Sequence, residues 1–334
     1  MNPILTVEEL NVRFDAYDGS VYAVNGADFE LLAGETLAVV GESGSGKSVT
    51  MLSLLGLLPK KITSISGRAY LSTKKGRVDL LSLSPSKLNR YRGNHIGIVF
   101  QDSLRALNPV ITVGEQICDA LITHLGYNNR KAYRRALELL EMVGIPQPDK
   151  RFHAYPHMFS GGMRQRAMIA IAISCVPDIL IADEPTTALD VTIQTQIVEL
   201  IRRLQQELGM AVIWITHDLG VVAGIAERVL VMYGGMPVET APVDELYETP
   251  GHPYTEGLLG AIPNIADAGT KRLVSIEGSP PDLVEPPTHC QFSWRCPYVF
   301  EKCWEQIPAN YEINSGHMSK CFYDLQKKIP RVEV

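Results

Sequence analysis

The stretch that most constrains this chain is "AVVGESGSGKSVTMLSLLGLL", residues 38–58. A short apolar run suited to a buried strand meets a glycine-rich turn, and an apolar helical stretch follows at once. Gly41–Ser48 fit the spacing G-x-x-x-x-G-K-[ST], placed between strand and helix as that pattern requires. Glycines Gly41, Gly44 and Gly46, with Glu42, Ser43 and Ser45 between them, let backbone N–H groups converge on phosphate oxygens. The start of the helix adds a favourable dipole. Lys47 is expected to reach the β- and γ-phosphates, and the Ser48 hydroxyl to ligate Mg²⁺. A second element supports the first: "ILIADEP" is an apolar strand that delivers Asp183 to the Mg²⁺ side of such a site. Glu184 beside it is placed to polarise an attacking water as general base.

The rest of the chain fits an α/β protein. "ILTVEELNVRF", "YAVNGADFELLAGETLAVVG", "DILIADEP" and "MAVIWITHD" read as strands. Residues 111–145 and 164–175 read as helices, and "TIQTQIVELIRRLQQELG" as an amphipathic helix ending at Gly209. Such alternation predicts a parallel sheet covered on both faces. Beyond about residue 248 the periodicity fades among prolines, which places a boundary at 245–255.

Composition narrows the partners. The 334 residues are 46% hydrophobic and 20% charged, with a formal net charge of −6, and no basic domain or stripe stands out. This argues against nucleic acid or an anionic membrane surface as the main ligand. The N-terminus lacks the pattern of a secretory signal. No apolar run approaches the roughly 18–20 residues that span a bilayer. The chain is therefore expected in the cytoplasm, reaching a membrane only through a partner.

"FSGGMRQR" (Phe159–Arg166), closely followed by "ILIADEPTTALD" and a later "WITHD", resembles the ATP-binding-cassette (ABC) ATPases over roughly residues 4–245. The resemblance implies a P-loop ABC nucleotide-binding domain, with a RecA-like parallel-sheet core and a helical subdomain at about 103–165. It implies that Gln101 senses Mg²⁺ and the attacking water, and that His217 contacts the γ-phosphate. Ser160, Gly161 and Gly162, with Asp190, would close over ATP held by the opposite subunit, so that the active unit is a dimer. An aromatic stacks on adenine in this family, and Phe14 is the best match, with Tyr17 and Tyr22 as alternatives. Two departures from the family's usual LSGGQ are Phe159 for leucine and Met163 for glutamine; methionine cannot donate the glutamine's hydrogen bonds.

"HPYTEGLLGAIP" (His252–Pro263), "EGSPPDLVEPP" and the cysteines after them resemble the C-terminal region of dipeptide and oligopeptide import ATPases, the DppD/OppD-like group. That likeness implies an ATPase domain over 1–250 and a small, irregular, cysteine-rich domain over 251–334. It also implies a related second ATPase, two transmembrane permeases, an extracytoplasmic peptide-binding protein and a place at the cytoplasmic face of the membrane. Nickel and glutathione importers of the same group, or a soluble ABC ATPase outside transport, are the alternatives.

There are six cysteines. Cys118 and Cys175 lie in apolar helical stretches and read as small buried hydrophobes. Cys290, Cys296, Cys303 and Cys321 are spaced C-x5-C-x6-C-x17-C. Disulfides need an oxidising compartment. Zinc suits four thiolates but favours closely paired cysteines, and an iron–sulfur cluster accepts looser spacing. The resemblance implies a [4Fe–4S] cluster, with zinc as the alternative. A metal tie would stabilise a proline-rich tail with little core of its own. On this reading Cys303→Ser unfolds the tail and leaves nucleotide binding largely intact.

Overall fold

The computed structural model describes residues 3–17, 19–187, 189–262 and 276–331; Pro263 of the quoted stretch lies outside them. Twelve strands carry the argument. They are β1 (Pro3–Ala16), β2 (Gly19–Leu32), β3 (Thr36–Val40), β4 (Thr63–Thr73), β5 (Gly76–Asp79), β6 (Ile96–Val99), β7 (Ile179–Asp183), β8 (Ala211–Thr216), β9 (Arg228–Tyr233), β10 (Met236–Pro242), β11 (Tyr311–Asn314) and β12 (His317–Ser319). The chain divides into two compact units.

One unit comprises Pro3–Leu31, Thr36–Ser82 and Thr216–Val334. It contains a sheet ordered β2-β1-β4-β5, in which β1 pairs antiparallel with β4 (Leu5 opposite Leu71, Phe14 opposite Thr63) and β4 with β5. This antiparallel sheet adds to the parallel one expected from the alternation. Only two residues separate β1 from β2, and two separate β4 from β5. A parallel pairing needs a crossover of about a dozen residues or more, so hairpins are what these spacings permit.

In the same unit β3 runs parallel to β9, with Leu37 opposite Arg228. Every residue of β3 is buried, which explains its uninterrupted apolar sequence. Strand β10 folds back antiparallel on β9, and the tail continues the sheet. Ser319 and Met318 of β12 pair with Glu239 and Thr240, and β11 pairs with β12. Regular structure after residue 248 is thus more extensive than its proline-rich sequence predicts. The strands are three and four residues long, too short to show a period.

Contacts distant in sequence hold the tail in place. Phe292 joins a buried cluster with Val40, Val231, Tyr233 and Tyr254. The Glu239 carboxylate accepts from the N–H groups of Gly251 (2.6 Å) and His252 (3.0 Å) and pairs with His317 Nε2 at 2.8 Å. Both side chains of that pair are fully buried.

The other unit comprises Leu32–Glu35 and Leu83–Ile215. Its strands β6, β7 and β8 are parallel, with Ile96 opposite Ile179 and Ile179 opposite Ala211, as the alternation predicts. Residues 111–145 form two helices, Val113–Leu125 and Asn129–Met142. A Thr112–Glu115 capping box starts the first, and Gly126 in the left-handed conformation ends it. Helices Gly161–Ala172 and Val191–Leu208 follow, the latter closed by Gly209 as its sequence indicates. Among the described residues no helix is long and apolar enough to cross a membrane.

Candidate nucleotide site

The phosphate-binding loop leaves β3 at Val40 and enters the helix Lys47–Leu54 at Gly46. Two of its glycines, Gly41 and Gly46, are required by space as well as by conformation. Gly41 has φ 148°, and a Cβ there would stand 2.2 Å from the Met232 carbonyl oxygen. At Gly46, φ 96°, a Cβ would stand 2.6 Å from that of Ala23. The loop therefore lies flat against the neighbouring backbone, while Ser43 and Gly44 form its exposed tip. Buried Lys47 reaches back across the loop, its Nζ donating to the carbonyls of Gly41 (2.7 Å) and Glu42 (2.9 Å). Ser48 sits half-buried in the first turn of the helix.

His217, also in this unit, directly follows β8 and is exposed. The turn after it is fixed by the Asp218 N–H donating to Thr216 Oγ1 at 2.9 Å. Phe14 is half-buried on β1, Tyr17 is fully exposed, and Tyr22 lies on β2 beneath the Arg13 guanidinium.

The residues expected to serve hydrolysis, Asp183, Glu184 and Gln101, belong to the other unit. Asp183 closes β7 and is buried. Glu184 follows in the left-handed region at φ 45°, a conformation that costs a non-glycine residue about 1–3 kcal/mol. Its N–H is tied to the Ile215 carbonyl at 3.0 Å. Its carboxylate accepts from Gln101 Nε2 at 2.8 Å and from Thr187 Oγ1 at 2.9 Å. Two side chains thus aim the carboxylate whose backbone the strand end has already turned. Gln101 was legible in the sequence. Thr187 was not, although its place three residues after Glu184 in a turn is the signal that could have marked it.

The "FSGG" segment starts the helix Gly161–Ala172. Ser160 is its cap, with the hydroxyl accepting from the Met163 N–H at 3.3 Å. Phe159 is buried, so an apolar side chain of either shape serves there. A Cβ at Gly162 would come within 2.9 Å of Ile193. Asp190 caps the helix Val191–Leu208 through the Ile193 N–H at 3.0 Å.

All six cysteines are free thiols. Burial pushes Cys118 up to about 11, as suits a hydrophobe. Cys175 is buried, with its Sγ 3.8 Å from the Ala120 carbonyl. In the tail the Cys290 N–H donates to the Cys303 carbonyl at 3.1 Å. Burial first, and then the neighbouring thiols, push Cys290 up to about 11 and Cys296 and Cys321 to about 12. Cys303 and Cys321 are buried, whereas Cys290 and Cys296 are half-buried. Among the described residues no three His, Cys, Asp or Glu side chains gather to hold a metal ion, so the geometry gives the expected metal site no support.

The family model for ABC transporters matches residues 24–187, and that for the oligopeptide/dipeptide transporter C-terminal region matches residues 238–303. The oligopeptide transport ATP-binding protein OppD of Bacillus subtilis is 47% identical over 330 residues, covering 99% of this chain and 91% of that protein. The dipeptide transport ATP-binding protein DppD of the same organism is 46% identical over 327 residues, covering 98% and 96%. Among solved structures, the dimeric ATP-binding cassette MJ0796 in a post-hydrolysis state with ADP and Pi matches with a TM-score of 0.63. It is 27% identical and covers 72% of this chain and 98% of that one. With its phosphate loop, its oriented glutamate and its matched C-terminal region, the chain belongs to the ATP-binding proteins of ABC transporters, in the oligopeptide/dipeptide group.

Proposed function

We propose that the chain is the ATP-hydrolysing motor subunit of an importer for di- or oligopeptides. The observation that carries hydrolysis is the Glu184 carboxylate, turned by its backbone and held by Gln101 and Thr187. Peptide import rests on the relatives named above and on the matched C-terminal region.

ATP binds with its phosphates on the N–H groups of Gly41–Ser48 and on Lys47, and its adenine on Phe14. Ser48, Gln101 and Asp183 hold Mg²⁺, and His217 contacts the γ-phosphate. Glu184 takes a proton from the attacking water as that water adds to the γ-phosphorus and the bond from that phosphorus to the β–γ bridging oxygen breaks, releasing ADP and phosphate. Ser160, Gly161, Gly162 and Asp190 face nucleotide bound to a second, related ATPase in a heterodimer. Closure and reopening of that dimer drive two permease subunits at the cytoplasmic face of the membrane. An extracytoplasmic binding protein delivers the peptide. Residues 1–250 form the ATPase domain, with a helical subdomain at about 103–165, and residues 251–334 form the C-terminal domain.

Cys290, Cys296, Cys303 and Cys321 are the ligands of a [4Fe–4S] cluster with a structural role. Support comes from the matched C-terminal region and from the C-x5-C-x6-C-x17-C spacing, with zinc as the alternative.

The test is Glu184→Gln in membranes carrying the assembled transporter. ATP binding is retained, while hydrolysis and dipeptide uptake fall by at least about 100-fold. Near-normal hydrolysis would remove Glu184 from the base role. Uptake of nickel without uptake of peptide would reassign the substrate. Anaerobic protein with equimolar iron and sulfide supports the cluster, and one zinc per chain counts against it.

A further inference from the structure

Glu42, a variable position of the phosphate-loop pattern, is gripped by the tail at two of its three polar groups. Its carboxylate takes a bidentate pair from Arg295, at 2.6 Å and 3.0 Å. Its N–H donates to the Tyr254 hydroxyl at 2.8 Å. Its carbonyl is one of the two that hold Lys47 Nζ. Arg295 is itself fixed: its side chain is 4% exposed, Nε donates to the Glu277 carbonyl at 2.9 Å, and the guanidinium lies by the Tyr233 ring and hydroxyl. Tyr233 packs on Tyr254 with ring centroids 4.5 Å apart, and both are fully buried. The grip therefore comes from residues 212 and 253 positions away in sequence.

Charge sharpens its meaning. A carboxylate in a loop that receives a polyphosphate repels the ligand unless a cation neutralises it. A forked guanidinium in a closed slot does so with fixed geometry, which a flexible ammonium does not.

We infer that Arg295 is a positioning residue for ATP binding: it holds and neutralises Glu42, and through Glu42 it sets the loop and Lys47 to receive phosphates. This deepens the ATPase reading and rests on it. The effect belongs to ground-state binding, because the contact precedes the reaction.

The experiment titrates MgADP into the full-length chain and measures KM and kcat for ATP in the assembled transporter. Arg295→Gln is expected to weaken MgADP about tenfold and raise KM by a similar factor, with kcat within about twofold. Loss of folded protein would instead lower kcat and leave KM unchanged. Adding Glu42→Gln to Arg295→Gln removes the unpaired carboxylate and is expected to restore affinity to within about threefold of the unmodified chain. A purely structural Arg295, serving the Glu277 carbonyl, gives no such rescue. Arg295→Lys keeps the charge without the fork and carries the test if Arg295→Gln does not fold, with about threefold weaker binding expected. Unchanged MgADP affinity in Arg295→Gln, or no recovery in the double variant, overturns the role of Arg295 alone. An unmodified chain that binds no MgADP overturns the ATPase reading as well.

Discussion

The phosphate loop and the cysteine-bearing tail make function in opposite ways. The loop works through backbone: its glycines are where they are because a Cβ at Gly41 or Gly46 would strike a neighbouring carbonyl. Its chemistry is contiguous, eight residues long, and survives as a written pattern. The tail works through side chains that meet only in the folded chain: Glu239 with His317, Arg295 with Glu42, Phe292 with Tyr233 and Tyr254. A backbone device can be read from sequence because spacing is its mechanism. A side-chain device cannot, because its spacing is set by the fold.

The largest effect expected of a single substitution falls on the tail. Glu239→Ala removes the acceptor of two backbone N–H groups and the partner of a buried imidazole. Stranding them costs about 3–5 kcal/mol, the range for a broken buried pair. The expected result is loss of the tail's protection from protease while β3, the loop and the first helix stay folded. Next comes the loop. Gly41→Ala forces a Cβ against the Met232 carbonyl and a strained φ, about 2–4 kcal/mol together. Nucleotide binding then falls below detection in a chain that still melts cooperatively.

A third prediction joins the two regions. Sequence reading treats the tail as separable, so that Cys303→Ser spares nucleotide binding. The Arg295–Glu42 pair predicts otherwise: Cys303→Ser, by loosening the segment that carries Arg295, weakens MgADP by about the same tenfold as Arg295→Gln. Unchanged affinity would restore the separable view.

How much was legible follows the same division. Lys47, Ser48, Asp183 and Glu184 can be proposed from sequence because each sits at a fixed offset from a strand end or a glycine turn, and Gln101 because of the family resemblance. The hairpins β1–β2 and β4–β5 were missed because strand composition does not encode pairing direction; only the two-residue connections did. Strands β11 and β12 were missed because a few residues cannot display a period. Arg295 and Tyr254 were invisible for a different reason: an arginine before a cysteine and a tyrosine after a proline have no local signature of a partner more than 200 residues away.

Acid separates the two regions more gently. His252 is fully buried, its Nδ1 accepts from the Tyr254 N–H at 3.0 Å, and burial pushes its imidazole down to about 3. The folded chain thus holds it neutral, whereas the unfolded chain protonates it near 6.5. Its contribution is complete above pH 6.5 and is lost as pH falls towards 3, at up to about 1.4 kcal/mol per pH unit. The tail's melting temperature is therefore expected to drop between pH 6 and pH 4, and His252→Asn to flatten that slope. A slope unchanged in the variant would assign the acid sensitivity to other groups.

The smallest effect is expected where the chain departs most visibly from its family. Met163 stands at the third position of the helix after Ser160, and its contribution there is a backbone N–H donated to the Ser160 hydroxyl. Any non-proline residue supplies that N–H. Methionine and glutamine differ little in helix propensity, and the side chain is only half-buried. Met163→Gln is therefore expected to leave ATP turnover by the assembled transporter within about twofold, because cap, helix start and glycines are unchanged. A rise of tenfold or more would mean that a side-chain donor at this position matters to nucleotide on the opposing subunit. The signature segment would then depend on its side chains as the tail does, and only the loop would remain a backbone device.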